Sequence, residues 1–309
     1  MASIHPIETS VQAILSGDVR AVSKLLTRIE DRRPEIFPLL KALYPYTGRA
    51  KLLGVTGPVG VGKSTLINRL IDAFREKKRS IGVLAVDPSS PFTGGAILGD
   101  RLRMHRHFLD QDVFIRSFSA RGWRGGLGPA LFDAILVLDA MGKDIILIET
   151  IGVGQDEVQI VGMAETVLLV LAPGMGDEVQ AMKAGLYEIG DVIVVNKGDF
   201  PESAAFFQQM KTFDPERKIL KVSAEHGSGI GPLFTHLGRT LKKNHSNPTK
   251  KRAILKEALQ SYLHERFFNA QNVISFTDDA IDPILLRKAD PYGLVDAWCL
   301  EKGINGNRV

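Results

Sequence analysis

The chain has little cysteine, no long apolar run and little net charge, and these properties limit the classes of protein to which it can belong. Cys299 is the single cysteine among 309 residues, so neither a disulfide within the chain nor a cysteine metal cluster can form. No apolar run approaches the roughly 18 residues that a membrane helix needs. The formal charge of +4 is small and is spread along the chain, which gives no evidence for nucleic-acid binding.

The first residues, MASIHPIETS, also lack the features of a targeting segment. They have neither the basic-then-apolar pattern of a signal peptide nor the arginine and serine richness of a transit peptide. Because a single cysteine also suits a reducing compartment, we expect a cytoplasmic protein with no membrane and no nucleic-acid partner.

From Lys51 onward, short runs rich in valine, isoleucine and leucine alternate with longer segments of helical periodicity. The runs are LLGVTG, IGVLAVD, VFIRSF, DIILIET, TVLLVLA and DVIVVNK. Strands that are apolar throughout, interleaved with helices, are typical of a parallel sheet covered on both faces. The sequence therefore predicts an α/β fold with a mostly parallel sheet.

Helical periodicity also extends beyond this region at both ends of the chain. Residues 1–50, as in VQAILSGDVRAVSKLLTRIE, predict an N-terminal helical extension. Lys242–Lys251, KKNHSNPTKK, has nothing to bury and predicts a solvated linker or loop. We therefore expect an α/β domain at 51–242 and a C-terminal helical segment at 243–309.

A glycine-rich loop follows the first apolar run, in the stretch GVTGPVGVGKSTL. Gly57, Gly62, Lys63 and Ser64 match the Walker A pattern, with a strand before and a helix after, as the pattern requires. Glycines let backbone N–H groups close around phosphates, and the helix N-terminus adds its positive end. Lys63 would contact the β- and γ-phosphates, and the Ser64 hydroxyl would bind Mg²⁺. The alternative is a glycine-rich turn without a ligand. The predicted phosphate contacts are Gly57, Pro58, Val59, Gly60, Val61, Gly62, Lys63, Ser64 and Thr65.

The stretch Asn196-Lys197-Gly198-Asp199 follows the apolar run DVIVV and predicts a guanine site. A carboxylate at Asp199 can accept hydrogen bonds from both N1–H and the exocyclic amine of guanine, whereas adenine would leave it without a donor. Such a site can reject the wrong ligand by roughly 10⁴–10⁵. Ser223, Ala224 and Glu225 follow the strand-like KILKV, where a backbone N–H can reach the guanine O6. The alternative for the stretch from Asn196 to Asp199 is a polar loop, and Ser223 and Ala224 by themselves indicate no function.

Acidic residues at the ends of apolar runs predict a metal site. Glu149 ends the run DIILI and is placed to hold Mg²⁺, directly or through water, while Gly152 can offer a backbone N–H to the γ-phosphate. Asp87 and Asp100 are further candidates, with Ser64 as the hydroxyl ligand. A turn cap at Asp87 and a solvated loop charge at Asp100 are the structural alternatives.

Long motifs occur in a characteristic order and spacing: GVTGPVGVGKSTL, AVDPSSPFTGGAILGDRLRM, ETIGVGQDE, APGMGDEVQAMKAG and NKGD, with DPYGLVDAW near the end. Over most of its length the chain resembles the MeaB/MMAA (ArgK-like) P-loop GTPases. The resemblance implies a homodimeric G-protein chaperone of adenosylcobalamin-dependent acyl-CoA mutases, in which GTP binding and slow hydrolysis gate cofactor loading and protect or reactivate the mutase. The C-terminal helical segment is then a candidate dimerisation element.

The same resemblance implies ligands and partners. Mg²⁺ and GTP or GDP would bind this chain, whereas cobalamin would be carried by the mutase or by an adenosyltransferase, which is a second candidate partner. Hydrolysis would be slow for the isolated protein and faster with the mutase. Which mutase is the client stays open, among them those for methylmalonyl-CoA, isobutyryl-CoA and 2-hydroxyisobutyryl-CoA.

Switch segments and a catalytic set follow by position. Asp100 and Arg103 would lie in the first switch, Gly152 to Glu157 in the second, and Gly174 to Lys183 in a further mobile segment. Hydrolysis needs a positioned water and positive charge near the γ-phosphate. The candidate catalytic residues are Lys63, Arg103, Glu149, Gln155 and Lys183.

Two residues depart from the family pattern. Trp123 and Arg124 stand where smaller or aliphatic residues are expected, and are either a partner contact or a packed loop anchor.

Other functions remain as alternatives to a mutase chaperone. They are a metallochaperone GTPase for another metallo-enzyme, a transport-linked kinase, and a nucleotide-binding module without turnover. Few cysteines and scattered histidines argue against nickel delivery.

Overall fold

Seven strands form one sheet, in the order β3-β2-β4-β1-β5-β6-β7, and all neighbouring pairs are parallel. The computed structural model describes residues 4–33, 35–87, 104–119, 128–150, 160–174, 186–266 and 278–301. The strands are β1 Lys51–Thr56, β2 Ile81–Asp87, β3 Val113–Ser119, β4 Ile145–Glu149, β5 Thr166–Leu171, β6 Val192–Val195 and β7 Ile219–Lys221.

Helices account for most of the remaining described residues. They are α1 Ile4–Leu15, α2 Val19–Glu30, α3 Ile36–Leu43, α4 Lys63–Glu76, α5 Pro129–Ala140, α6 Leu186–Ile189, α7 Ser203–Phe213, α8 Ile230–His245, α9 Pro248–Arg266, α10 Asp278–Leu285 and α11 Pro291–Glu301. None of these described helices combines the length and the apolar character that crossing a membrane requires.

Contacts divide the chain into two compact units. The sheet unit comprises 51–127 and 144–247, and the helical unit comprises 1–50, 128–143 and 248–309. Helix α5 thus belongs to the helical unit although it lies between β3 and β4 in the chain, which the sequence did not indicate.

The sheet unit has an apolar core on each face of the sheet. Leu168 and Val170 belong to one core, which includes residues of α4 and α8, while Leu169 and Leu171 belong to a second core with Phe206 of α7. Successive strand residues point to opposite faces, so a strand between two cores must be apolar throughout. The predicted α/β fold with a parallel sheet is confirmed.

A fully buried carboxylate holds the helical unit together. Asp133 on α5 accepts hydrogen bonds from the Arg32 guanidinium at 2.6 Å and from the hydroxyls of Tyr262 and Tyr292 at 2.8 and 2.5 Å. Burial, and then the charge of Asp133, raise the pKa of both tyrosines well above the usual value, so both hydroxyls stay protonated and donate. The network joins the turn after α2 to α5, α9 and α11.

The predicted linker at Lys242–Lys251 is instead mostly helical. Helix α8 continues to His245 and α9 begins at Pro248, so only two residues separate them. Lysine is a good helix former, and proline is favoured in a first turn because its missing N–H has no partner there. An absence of apolar residues indicated exposure correctly but did not exclude a helix.

Candidate nucleotide-binding site

The glycine-rich loop connects β1 to α4 at the carboxyl edge of the sheet, where ligands of open α/β sheets bind. Gly57 and Gly62 have φ angles of +140° and +91°, which side chains rarely adopt. A Cβ atom at Gly57 would collide with the carbonyl oxygen of Val170, and one at Gly62 would lie 2.5 Å from Asn196 Nδ2. Both positions therefore require glycine, because the loop packs too closely against Val170 and Asn196 to leave room for a side chain.

Lys63 is the first residue of α4 and is buried. Its Nζ donates hydrogen bonds to the carbonyl oxygens of Gly57 at 2.6 Å and of Pro58 at 3.0 Å. The ammonium thus lies across the loop, at the positive end of the helix. The remaining predicted loop residues differ in exposure: Val59 is exposed, Val61 is buried, and Thr65 lies in the first turn of α4.

Ser64 and Glu149 meet although they are far apart in sequence. The Ser64 hydroxyl donates to Glu149 Oε1 at 2.7 Å, and both residues are buried. Glu149 is brought there because β4 pairs with β1 in parallel, with Val55 opposite Glu149. A hydroxyl and a carboxylate are oxygen ligands that suit Mg²⁺, which takes few protein ligands and completes its shell with phosphate and water.

Asp87 ends β2, the other neighbour of β4, where Ala85 pairs with Glu149. The backbone therefore places Asp87 at the same carboxyl edge of the sheet as Glu149. Among the described residues, no group of three or more histidine, cysteine, aspartate or glutamate side chains could hold a metal ion.

Asn196 connects two loops rather than pointing into open space. Its Nδ2 donates to the Val61 carbonyl oxygen at 2.8 Å, and its Oδ1 accepts from the Ala224 N–H at 2.9 Å. The phosphate loop and the loop after β7 are thus joined by one amide side chain. The Ala224 N–H is already engaged by this contact.

Asp199 is the exposed carboxylate of the predicted guanine site. Its Oδ1 accepts a hydrogen bond from the Ser223 hydroxyl at 2.5 Å, and its Oδ2 lies 3.7 Å from His226 Nε2. The Ser223 hydrogen bond is the main cause of a lowered pKa of the Asp199 carboxyl. The group is therefore ionised at neutral pH and can accept hydrogen bonds from a base.

The two residues between Asn196 and Asp199 bring the backbone close to the loop after β7. Gly198 donates its N–H to the Val222 carbonyl oxygen at 2.8 Å, and a Cβ atom at Gly198 would lie 2.7 Å from that oxygen. Lys197 adopts a φ of +54°, and its Nζ lies 5.7 Å from the centre of the Phe200 ring. This conformation directs the short loop toward Ser223 and its neighbours.

Sequence reasoning missed several residues of this edge. Thr150 donates to the Thr56 hydroxyl at 3.1 Å, which joins the ends of β4 and β1. Arg69 of α4 donates to the carbonyl oxygens of Ala224 and Glu225 at 2.8 and 2.5 Å. No local pattern marks these contacts, because each joins segments that are distant in the chain.

The structure brings together the phosphate loop, Ser64 with Glu149, and Asn196 with Ser223 and Asp199. Other predicted positions lie outside the described residues: Asp100, Arg103, Gly152, Gln155 and Lys183, together with Trp123 and Arg124.

Comparison with known proteins finds a family whose model matches the chain. The family model described as methylmalonyl Co-A mutase-associated GTPase MeaB matches residues 22–272. A Pyrococcus horikoshii protein that is named as a GTPase is 41% identical over 309 aligned residues, which cover 95% of this chain and 97% of that protein. The GTPase ArgK of Escherichia coli is 33% identical over 241 residues, covering 73% of each chain.

Two further similarities extend the comparison. The mitochondrial methylmalonic aciduria type A homolog of Caenorhabditis elegans is 33% identical over 208 residues, covering 62% of this chain and 52% of that protein. The crystal structure of a LAO/AO transport system kinase superimposes with a TM-score of 0.66 at 21% identity, covering 98% of this chain and 99% of the other. At that identity the superposition shows a shared fold alone.

Proposed function

Because the chain belongs to the MeaB family of methylmalonyl-CoA mutase-associated GTPases, we propose that it is a chaperone of an adenosylcobalamin-dependent acyl-CoA mutase. GTP binding and hydrolysis gate cofactor loading and protect or reactivate the mutase. The family match over residues 22–272 carries the proposal, and the similarity to a protein named for methylmalonic aciduria supports it. The cobalamin is carried by the mutase or by an adenosyltransferase, and the chaperone acts as a homodimer.

In this proposal the phosphates of GTP lie in the loop from Gly57 to Thr65. Lys63 changes partners on binding: its ammonium leaves the carbonyl oxygens of Gly57 and Pro58 and meets the β- and γ-phosphates. The Gly152 N–H contributes to the γ-phosphate. A buried ammonium that is already directed across the loop needs little reorganisation to meet an anion.

Mg²⁺ is held by Ser64 and Glu149, with Asp87 and Asp100 as further ligands or as ligands of its water molecules. Ser64 and Glu149 are close enough to share one ion, since 2.7 Å separates their oxygens. The bound ion supplies positive charge to the phosphate oxygens. Glu149 and the Ser64 hydroxyl would each offer an oxygen to the ion and would thereby hold its charge beside the phosphates.

The guanine base is bound by Asp199 through N1–H and the exocyclic amine, with Ser223 fixing the carboxylate. Its O6 accepts a backbone N–H from Ala224 or Glu225. Asn196 contributes indirectly, by joining the base loop to the phosphate loop, and Lys197 lies beside it.

Arg103, Gln155 and Lys183 complete catalysis in this proposal. Gln155 orients the attacking water, while Arg103 and Lys183 supply positive charge once a partner orders their segments. Charge brought onto a transferring phosphoryl group by an arginine finger raises the rate by about 10³–10⁵. We expect a smaller increase here, since these charges belong to the same chain as the nucleotide site.

A titration of hydrolysis against candidate mutases tests the proposal. With γ-labelled GTP, the label is expected in inorganic phosphate at a rate that rises and saturates with the cognate mutase. Lys63→Ala in parallel gives the rate of contaminating GTPases. A flat rate with every cobalamin-dependent mutase of the same organism contradicts the chaperone role, and label in protein would show a kinase. Stimulation by another metallo-enzyme, together with stoichiometric metal binding to this chain, would favour the metallochaperone alternative.

A further inference from the structure

Arg69 holds the loop that carries the proposed base contacts. It lies on α4, the helix that begins at Lys63, and its guanidinium donates to the carbonyl oxygens of Ala224 and Glu225 at 2.8 and 2.5 Å. A Cβ atom at Gly227 would lie 3.9 Å from Arg69 Cζ, so the guanidinium extends along this loop. Because the donors of a guanidinium form a rigid planar fork, two neighbouring carbonyl groups contacted by it have fixed directions.

The direction of these carbonyl groups also sets the direction of two N–H groups. In a trans peptide the N–H points opposite to the C=O of the preceding residue. The carbonyl groups of Ala224 and Glu225 face Arg69, so the N–H groups of Glu225 and His226 point away from it. The His226 N–H reaches the Ser223 hydroxyl at 3.3 Å, which in turn donates to Asp199. The Glu225 N–H therefore points to the same side of the loop as the proposed base site.

From this geometry we infer that Arg69 is a positioning residue for base recognition. It holds the Ala224 and Glu225 carbonyl groups against α4 and thereby presents the Glu225 N–H to the guanine O6, while the Ala224 N–H stays with Asn196. Adenine carries an amine donor where guanine carries O6, so the same N–H disfavours adenine. The inference deepens the proposed guanine site and rests on it.

The inference predicts a loss of base selectivity without a loss of phosphate binding. In Arg69→Ala, the affinities for GTP, GDP and inosine triphosphate should fall by the same factor of about ten to a hundred, because the bases of all three nucleotides, guanine and hypoxanthine, present O6. The affinity for ATP should not fall, because the Glu225 N–H that disfavours adenine is no longer held in place. At saturating GTP the hydrolysis rate should stay within about twofold of the wild type, since the phosphate contacts are untouched.

Competition binding to the full-length chain measures these affinities, with a fluorescent GTP analogue as the displaced probe. Arg75→Ala is the matched control, because Arg75 lies on the same helix and donates to Asp110 and Asp112 at 2.8 and 2.5 Å. It should lower thermal stability and leave the ratio of GTP to ATP affinity unchanged. Arg69→Gln keeps a polar side chain but removes the planar guanidinium. It replaces Arg69→Ala in the experiment if Arg69→Ala does not fold.

The outcomes separate the inference from the proposed site. If the wild type prefers GTP over ATP and every folded Arg69 variant keeps that preference, the positioning role is wrong while the guanine site stands. If GTP affinity falls but inosine triphosphate affinity does not, Arg69 acts through the contact of Asp199 with the exocyclic amine, which inosine lacks, and not through O6, which also contradicts the inference. A wild type without preference for GTP contradicts the guanine site itself.

Discussion

Two buried carboxylates, one in each unit, have different partners. Asp133 in the helical unit accepts hydrogen bonds from a guanidinium and from two tyrosine hydroxyls that burial keeps protonated. Glu149 in the sheet unit accepts a hydrogen bond from the neutral Ser64 hydroxyl, at the edge of the sheet where the phosphate loop lies.

The comparison shows that burial of a carboxylate does not by itself mark a functional site. The charge of Asp133 is balanced by Arg32, an arginine of its own unit, which suits a structural role. Glu149 lies at the end of a parallel strand and accepts a hydrogen bond from the Ser64 hydroxyl, a group that can itself bind a metal ion. Partner type and position in the sheet separate the two roles. A substitution of Asp133 should accordingly lower the stability of the protein, whereas a substitution of Glu149 should lower its activity and leave it folded.

Asp133→Asn should show the largest effect, a loss of about 3–5 kcal/mol in the free energy of unfolding, because it leaves the Arg32 charge without its carboxylate. Urea unfolding measures it. The matched control is Asp296→Asn, whose partner Lys41 lies 2.8 Å away in a partly exposed pair, worth at most about 1 kcal/mol. Equal losses in the two variants would show that the buried network is no more important than a surface pair.

Glu149→Gln should reverse this pattern. The rate of Mg²⁺-dependent hydrolysis should fall about 10²–10³-fold while the protein stays folded, since the lost carboxylate would hold the ion that stabilises the reacting phosphate and does not hold the core together. The control is Glu165→Gln, because Glu165 is equally buried, lies immediately before β5 and contacts His245 at 2.9 Å. A Glu149→Gln variant with normal Mg²⁺ dependence would place Glu149 with Asp133 as a structural carboxylate.

Asp199→Asn tests an exposed carboxylate of the sheet unit. GTP affinity should fall and xanthosine triphosphate affinity should rise, because xanthine presents a carbonyl oxygen that an amide can meet as donor. Each hydrogen bond to the charged group is worth about 1.5–3 kcal/mol, or one to two decades in affinity. Competition binding measures this, and ATP affinity serves as the internal control. An unchanged preference for GTP would show that Asp199 is a loop carboxylate.

Tyr262→Phe should show the smallest effect. It removes one of the hydroxyl donors of Asp133, at 2.8 Å, while Tyr292 and Arg32 keep theirs. A loss of about 1 kcal/mol in the free energy of unfolding is expected, with unchanged GTP affinity. Combining it with Tyr292→Phe should cost more than the sum of the two single losses, because the remaining charge then has fewer donors. Strict additivity would argue against a coupled network.

The sequence predicted the α/β class and the parallel sheet because both depend on local patterns. Runs that are apolar throughout require cover on both faces, and this shows along the chain without any knowledge of contacts. It did not predict that α5 joins the helical unit, because α5 is apolar on nearly all sides and carries no marker of its partner. The prediction of a linker or loop at Lys242–Lys251 was wrong because exposure to solvent and helix formation are independent properties.

For the site, the sequence by itself determined the contiguous motifs. Within a few residues, a local pattern predicts the backbone geometry or the chemistry of each motif. This holds for the glycines at 57 and 62, for Lys63 with Ser64, and for the stretch from Asn196 to Asp199. Only the tertiary structure decided how these motifs are joined: Ser64 to Glu149 across the sheet, and Arg69 to the base loop. Such contacts join common residue types from segments that are distant in the chain. The order of the strands and the placement of the helices bring these segments together, and no single stretch of the sequence encodes either.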